Sequence, residues 1–257
     1  MMTAIAALWR REVWTFVRDR ARVVGALVQP LAVWALLGFG FDAAFRLPGS
    51  GPGGPSYLAF LFPGVVALVL LFTAIFSTIS VVEDRQRGTL HAALVAPQPR
   101  LALVLGVLSG GVTLAVGQAA LVLLLAPLAG LHPGVAGVTV ALLACFLTAV
   151  SLTALGFVMA WRLETTRGFH AVMNLVLMPL WILSGGFFPV DGAPAVLRAV
   201  MLANPVTYGV AAIRIGLAGP GAAGAPVGLV IALAVVAASA VVLVAWAVQT
   251  ARRPLFP

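Results

Sequence analysis

Apolar residues run along this chain in blocks too long for a strand and too continuous for the one-sided stripe of a soluble helix. Nearly unbroken apolar stretches occupy residues 23–41, 57–82, 101–129, 135–161, 169–188 and 227–248. Each is long enough to cross a hydrocarbon core of ~30 Å as a helix. The pattern therefore predicts an all-α membrane protein with six spans, the first kinked at Gln29-Pro30. One segment has a different period. Between residues 3 and 20, Ile5, Leu8, Trp9, Val13 and Phe16 recur at helical spacing, and most Arg side chains fall off that face. This predicts an amphipathic helix able to lie in the interface plane. Glu12 projects from its apolar side and is expected to pair with an Arg.

The connectors are short, with two exceptions. A polar stretch, residues 83–100, separates spans two and three. Thr89 can cap a short helix there and Pro97 can stop it. Residues 189–226 are too apolar for a plain loop and too broken by Gly and Pro for a span. They predict two short helices, 194–201 and 205–217, of the size that suits re-entrant segments. No stretch has the composition of a soluble domain, so the chain reads as one membrane domain over residues 1–257.

Charge then orients the bundle. Only 9% of residues are charged, and all fifteen basic residues are Arg. With six spans, Arg10, Arg11, Arg18, Arg20, Arg22, Arg85, Arg87, Arg100, Arg162, Arg167, Arg252 and Arg253 fall on one side, against Arg46, Arg198 and Arg214 on the other. The positive-inside rule puts both termini in the cytoplasm of a plasma-membrane protein. The net charge of +8 thus sits beside spans, where it sets topology rather than meeting nucleic acid. The first apolar stretch is too interrupted by Arg, Glu and Asp to be a secretory signal. Cys145 has no partner for an internal disulfide.

The chemistry that is missing narrows the function. Without Lys there is no G-x-x-x-x-G-K-[ST] phosphate loop. Leu-Ser-Gly-Gly occurs twice, at 108–111 and 183–186, but in or beside spans, where its glycines read as packing or kink positions. The spans hold no carboxylate. Gln29, Gln118 and Asn174 are their main polar residues, which argues against an ion- or proton-coupled carrier. Ser184 and His170 lie at opposite ends of one predicted span and cannot meet as a protease pair. No cluster has metal-ligand spacing, and no catalytic residue is expected. Gly106 and Gly110 form a small-x-x-x-small pair.

Three blocks carry a resemblance. Glu83-Asp84-Arg85-Gln86-Arg87-Gly88-Thr89-Leu90, continuing through Leu94 to Pro97, resembles the coupling helix of the ABC type-2 transporter permease family. Ser184-Gly185-Gly186-Phe187-Phe188-Pro189, followed by Pro194, Asn204-Pro205-Val206-Thr207-Tyr208 and Arg214, is similar to the family's fifth-span end and paired short helices. Arg11, Glu12 and Arg18 look like its interfacial connecting helix, residues 1–22. The order matches along the whole chain, with His91 where many members carry Glu. The resemblance implies an exporter permease that works as a dimer, as a homodimer by expectation. Two copies of a separate ATPase subunit would hold ATP and magnesium, with no cofactor on this chain. Residues 83–97 would dock on the ATPase, and Gly185, Phe188, Pro189, Asn204, Pro205, Tyr208 and Arg214 would shape a re-entrant gate within 189–226. The implied cargo is a hydrophobic or amphipathic drug-like molecule or lipid. A lipid-linked polysaccharide is the alternative inside the family, and an ATP-independent carrier or assembly factor the alternative outside it.

Overall fold

The structure, a computed structural model, describes residues 1–41, 56–89 and 99–252. All regular structure among them is helical. The described residues form ten α-helices: α1 (Met2–Arg18), α2 (Arg20–Phe41), α3 (Tyr57–Ser77), α4 (Ile79–Gln86) and α5 (Arg100–Leu123), then α6 (Val135–Arg162), α7 (Thr166–Trp181), α8 (Ala195–Ala203), α9 (Pro205–Ala218) and α10 (Leu229–Arg252). Six segments are long and apolar enough to span a membrane: Val23–Phe41, Tyr57–Gln86, Arg100–Leu123, Val135–Arg162, Thr166–Gly186 and Leu229–Arg252. The six-span membrane protein expected from the pattern is what the chain forms.

The spans are all apolar but not equally placed. The most apolar part of Tyr57–Gln86 is 94% buried inside the protein, whereas those of the first and last spans are 17% buried. Leu61, Phe62, Val65, Val66, Leu70, Leu71 and Ile75 of α3 are fully buried. An all-round apolar helix belongs at the centre of a bundle, and α3 packs against α2, α5, α6, α7 and α9. α2 and α10 lie at the rim. One buried polar pair joins α3 to α5: the Thr73 hydroxyl donates to the Gln118 side-chain carbonyl.

The third span, expected over 101–129, ends as α-helix at Leu123 and is followed by a 3-10 turn, Ala126–Ala129; three other element ends depart from the sequence reading, each for a local reason. The N-terminal helix stops at Arg18, because the chain breaks at Asp19 before α2 begins. The second span continues as helix to Gln86, four residues beyond the last apolar position. Arg87 and Glu83, one turn apart, pair at 3.6 Å across that extension. The fifth span leaves α-geometry at Trp181 and closes in a π-type turn, Ile182–Gly186, in which Gly185 takes φ +74°, a conformation that disfavours a side chain. That turn lies hard against α3. A Cβ on Gly64 would stand 2.7 Å from the Gly186 Cα, and the Trp181 indole donates to the Gly64 carbonyl at 2.7 Å.

The end of α10 lies at the same end of the bundle as the start of α5. The Arg100 guanidinium, at the start of α5, donates to the carbonyls of Ala251 at 3.1 Å and Arg252 at 3.0 Å, at the end of α10. Arg162, closing α6, stands over the Trp246 ring.

Candidate functional site

At the end where α10 closes and α5 begins, the chain builds a polar joint. It begins with a close approach between α1 and α5. A Cβ on Gly106 would meet the Leu8 Cβ at 2.5 Å, and one on Gly110 would meet the Glu12 Cβ at 2.6 Å. The i,i+4 ridge of α1 therefore sits in a groove that only glycines leave open. The Trp9 indole adds a hydrogen bond to the Thr113 hydroxyl at 3.0 Å. Seating α1 this deeply buries Glu12 to 5% exposure, so its charge needs a partner.

The partner is Arg11, 2.6 Å from the Glu12 carboxylate. The same Nη2 lies 2.7 Å from the Asp84 carboxylate at the end of α4. Burial lowers the Arg11 pKa, but its hydrogen bond and charge attraction to Glu12, with the attraction of Asp84, outweigh burial and raise it. The joint is thus cationic at its hub at every accessible pH. Asp84 also receives the Thr89 hydroxyl, with distances of 3.1 Å to its carbonyl and 2.9 Å to its carboxylate. Thr89 reaches back across Gly88, which turns the chain at φ +76°. Arg85 points the other way. It donates to the Trp161 carbonyl and, at 3.0 Å, to the Leu163 carbonyl. Gln86 donates to the Glu164 carbonyl at 3.1 Å. Three consecutive positions, Asp84 to Gln86, thereby reach α1 through Asp84 and the α6–α7 connection through Arg85 and Gln86.

At the opposite end the chain forms an elbow. α8 and α9 meet at 84°, close to the limits expected from the sequence. Asn204 makes the corner: its carboxamide oxygen caps α9 by accepting from Val206 N at 3.0 Å. Its amide donates to the carbonyls of Leu180 at 2.7 Å and Leu183 at 3.2 Å. Pro205 occupies the first turn of α9, where its missing N–H is harmless. The Tyr208 hydroxyl returns to Leu202 O at 2.8 Å, and the Thr207 hydroxyl to Met201 O at 2.6 Å. Pro189 leads into a single 3-10 turn, Val190–Gly192, and Phe188 packs edge-on against Phe187.

Arg214 turns inward rather than toward lipid. It is 2% exposed and donates to the carbonyls of Gly185 at 3.0 Å, Phe60 at 3.2 Å and Ala223 at 3.3 Å. Its guanidinium carbon lies 4.1 Å from the Phe60 ring centroid. The helix end that it serves is that of the fifth span, not its own.

The structure thus brings Arg11, Glu12, Glu83, Asp84, Arg85, Arg87, Gly88 and Thr89 together at one end. Gly185, Phe188, Pro189, Asn204, Pro205, Tyr208 and Arg214 gather around the elbow. Arg18 stands apart, over the Trp14 ring at 5.5 Å. Leu90, His91 and Leu94 lie outside the described residues. The two Leu-Ser-Gly-Gly strings are packing elements: Gly110 and Gly111 face Glu12 and Ser77, and Gly186 faces Gly64. Ser184 is spent on the Trp181 carbonyl at 2.6 Å, away from His170. Among the described residues, no three His, Cys, Asp or Glu converge as metal ligands. Sequence reasoning missed the role of Gly106 and Gly110, although their spacing was the signal. It also missed Phe60 and Met201, which carry none.

Residues 3–218, from α1 to the end of α9, match the profile of the family described as ABC-2 type transporter. Nodulation protein J of Rhizobium leguminosarum bv. trifolii is 30% identical over 211 residues, 81% of this chain and 79% of that protein. Nodulation protein J of Rhizobium meliloti (strain 1021) is 28% identical over 221 residues, again 81% and 79%. Inner membrane transport permease YhhJ of Escherichia coli (strain K12) is 26% identical over 152 residues, 57% of this chain and 40% of that one. With a six-span helical fold and the family's motifs in order along it, the chain belongs to the ABC-2 type transporter family.

Proposed function

We propose that this chain is the membrane-spanning permease subunit of an ATP-driven exporter, moving a hydrophobic or amphipathic molecule, drug-like or lipid, out of the cell. It works as a homodimer in the plasma membrane with both termini cytoplasmic. Two copies of a separate ATPase hold ATP and magnesium. The joint supports this reading most directly. Residues 83–97 leave the most buried span, and their root is held by α1 on one side and the α6–α7 connection on the other. A push on that segment is therefore delivered to the bundle and not lost in a loop. In this reading residues 88–96 insert into the ATPase, α1 braces them at the inner interface, and the elbow of α8 and α9 closes the outer mouth.

The test is biochemical. An ATPase of the same genome should co-purify with the chain, and Arg87→Glu with Gly88→Val should weaken that association. Transport into inverted vesicles should require ATP and survive collapse of the proton gradient. Gradient dependence without ATP, or no co-purifying ATPase with transport intact in the Arg87 and Gly88 variants, sinks the proposal.

A further inference from the structure

The rim of the bundle between α6 and α10 carries a groove whose two ends differ. Along α6, Leu155, Met159 and Arg162 recur at i, i+4 and i+7, and Ser239, Leu243 and Trp246 do the same along α10. Each triplet is one stripe on its helix. The stripes face each other: the Ser151 and Ser239 hydroxyls meet at 3.1 Å, and the Arg162 guanidinium carbon lies 5.5 Å from the Trp246 ring centroid. At the serine end the groove widens into a cavity of about 210 Å³, lined by Leu152 and Leu155 of α6, Leu243 of α10, Leu180 of α7 and Val206 of α9. Leu155, Leu180 and Leu243 are half-buried, so the cavity opens to the outside of the bundle.

The surface that the cavity offers is hydrocarbon. The Ser151 hydroxyl donates to the Leu147 carbonyl at 3.1 Å and that of Ser239 to the Val236 carbonyl at 2.7 Å. Thr148 Oγ1 lies against the α9 backbone, 2.5 Å from where a Cβ on Gly209 would stand. The other end of the groove is cationic. Arg162 is exposed there, as are Arg167 at the start of α7 and Arg252 at the end of α10. Glu164, exposed between Arg162 and Arg167, acts on the charge of Arg85. Trp246 is 39% exposed, and Trp is the residue type that settles at headgroup level. Along α6, Leu155 stands ~10 Å and Ser151 ~16 Å from Arg162 at 1.5 Å per residue, and one leaflet of a ~30 Å hydrocarbon core is ~15 Å thick. The cavity therefore lies where an acyl chain ends when its headgroup sits at Arg162.

We infer that the α6–α10 groove binds one anionic phospholipid from the leaflet at this end of the bundle, with its phosphate on Arg162 beside Trp246 and the end of one acyl chain in the cavity against Leu155, Leu180 and Leu243. The preference for an anionic lipid follows from the charges that are present: Arg162, Arg167 and Arg252 attract a net negative head and repel the cation of a zwitterionic one. Pro205 and Val206 of the corner line the same cavity, so the seated chain packs α9 against α6 and α10 and steadies the elbow from outside. The inference does not depend on the exporter reading; it requires only that the chain spans a bilayer.

The test uses the full chain in phosphatidylcholine nanodiscs with a trace of phosphatidylglycerol that carries a diazirine at the end of one acyl chain. Photolabel should map to residues 148–155 and 236–243. Unlabelled phosphatidylglycerol should displace it about fivefold better than phosphatidylethanolamine, and Arg162→Gln should cut labelling about fivefold, the worth of one cation at an anionic lipid surface. Arg162→Lys, which keeps the charge, should retain most of the label. Arg10→Gln, the same loss of charge at the same end of the bundle, should leave labelling unchanged. Phosphatidylglycerol should also raise the melting temperature of the parent but not of Arg162→Gln. Any of the following overturns the inference: equal displacement by phosphatidylethanolamine; labelling indifferent to Arg162→Gln; an equal loss in Arg10→Gln, which would make the attraction a general surface charge; label as dense on the rim face of α2 as in the groove; or displacement by glycerol 3-phosphate as effective as by the lipid, which would make the site one for phosphate alone.

Discussion

Placing alanine at glycines along α5 separates packing from helix propensity within one helix. Gly117 has nothing within 4 Å of where its Cβ would stand. Gly117→Ala should therefore stabilise the protein by about 0.5–1 kcal/mol, the difference between the two residues in a helix. Gly110→Ala is the same chemical change with a different neighbour. The new methyl would lie 2.6 Å from the Glu12 Cβ, where carbon atoms settle at ~3.6 Å. That atom is fixed to the α1 backbone, so no rotamer relieves the clash and α1 must move by about 1 Å. The Arg11–Asp84 contact, now 2.7 Å, then leaves hydrogen-bond range. Overpacking of this kind costs about 1–3 kcal/mol, so the helix gain is cancelled or exceeded. Detergent melting should rise by a few degrees for Gly117→Ala and fall for Gly110→Ala, at about 2–4 °C per kcal/mol for a chain of this size. Limited trypsin digestion reports α1 directly: cleavage after Arg10 and Arg11 should be faster in the Gly110 variant only. A Gly110→Ala protein that melts higher, with α1 as protected as before, would refute the close-packed joint.

Three further substitutions probe the ends of the bundle. Asn204→Ala removes the α9 cap and leaves the Leu180 and Leu183 carbonyls without their amide donor, so melting should show a loss of about 2–4 kcal/mol, whereas unchanged melting would mean that the corner is not held by this side chain. Arg214→Lys keeps the charge but loses the planar fork that spans three carbonyls, and folded yield in membranes should drop clearly below that of the parent; equal yield would show that charge alone suffices. Arg85→Gln releases the carbonyls of Trp161 and Leu163, and under the proposed function transport should fall while the chain still inserts and still co-purifies with an ATPase, a split that a mere folding defect would not give.

How much of this the sequence carried depends on whether local rules or packing decide. The spans were legible because an apolar run of 20 or more residues has one stable answer in lipid. The elbow was legible almost to the residue, because Pro194 and Asn204-Pro205 mark helix starts by their own backbone chemistry. The central position of α3 was not legible. A helix that is apolar on every side fits a core and a lipid face equally well, and only the packed bundle chooses. Gly106 and Gly110 were visible as a spacing, but 27 glycines make such spacings common, and nothing local says which one receives a neighbour. Arg214 shows the same limit: capping, lipid contact and burial against carbonyls all suit a lone Arg near a helix end, and the answer depends on a turn 29 residues earlier in the chain.

The placement of α3 has a mechanical consequence. With α4 it forms one segment, Tyr57–Gln86, of 30 residues, ~45 Å long at 1.5 Å per residue. One end holds Asp84 and Arg85 of the joint. Near the other end, the carbonyls of Phe60 and Gly64 receive Arg214 and Trp181, which belong to the elbow and the turn beside it. The α3–α4 boundary at Thr78 is the break nearest the joint, where such a rod could fold. It is clamped instead: Thr78 is fully buried, its hydroxyl returns to Ile75 O at 2.7 Å, and Gly156 of α6 leaves room for only a hydrogen opposite it. Close-packed interiors move between discrete arrangements and do not absorb displacement by compression. Under the proposed function, a push transmitted to residues 83–89 would then shift α3 along its length and pull on the carbonyls that contact the elbow. Widening the clamp, with Thr78→Gly as the simplest change, should let the boundary flex, leaving ATP hydrolysis by the bound partner intact while transport falls.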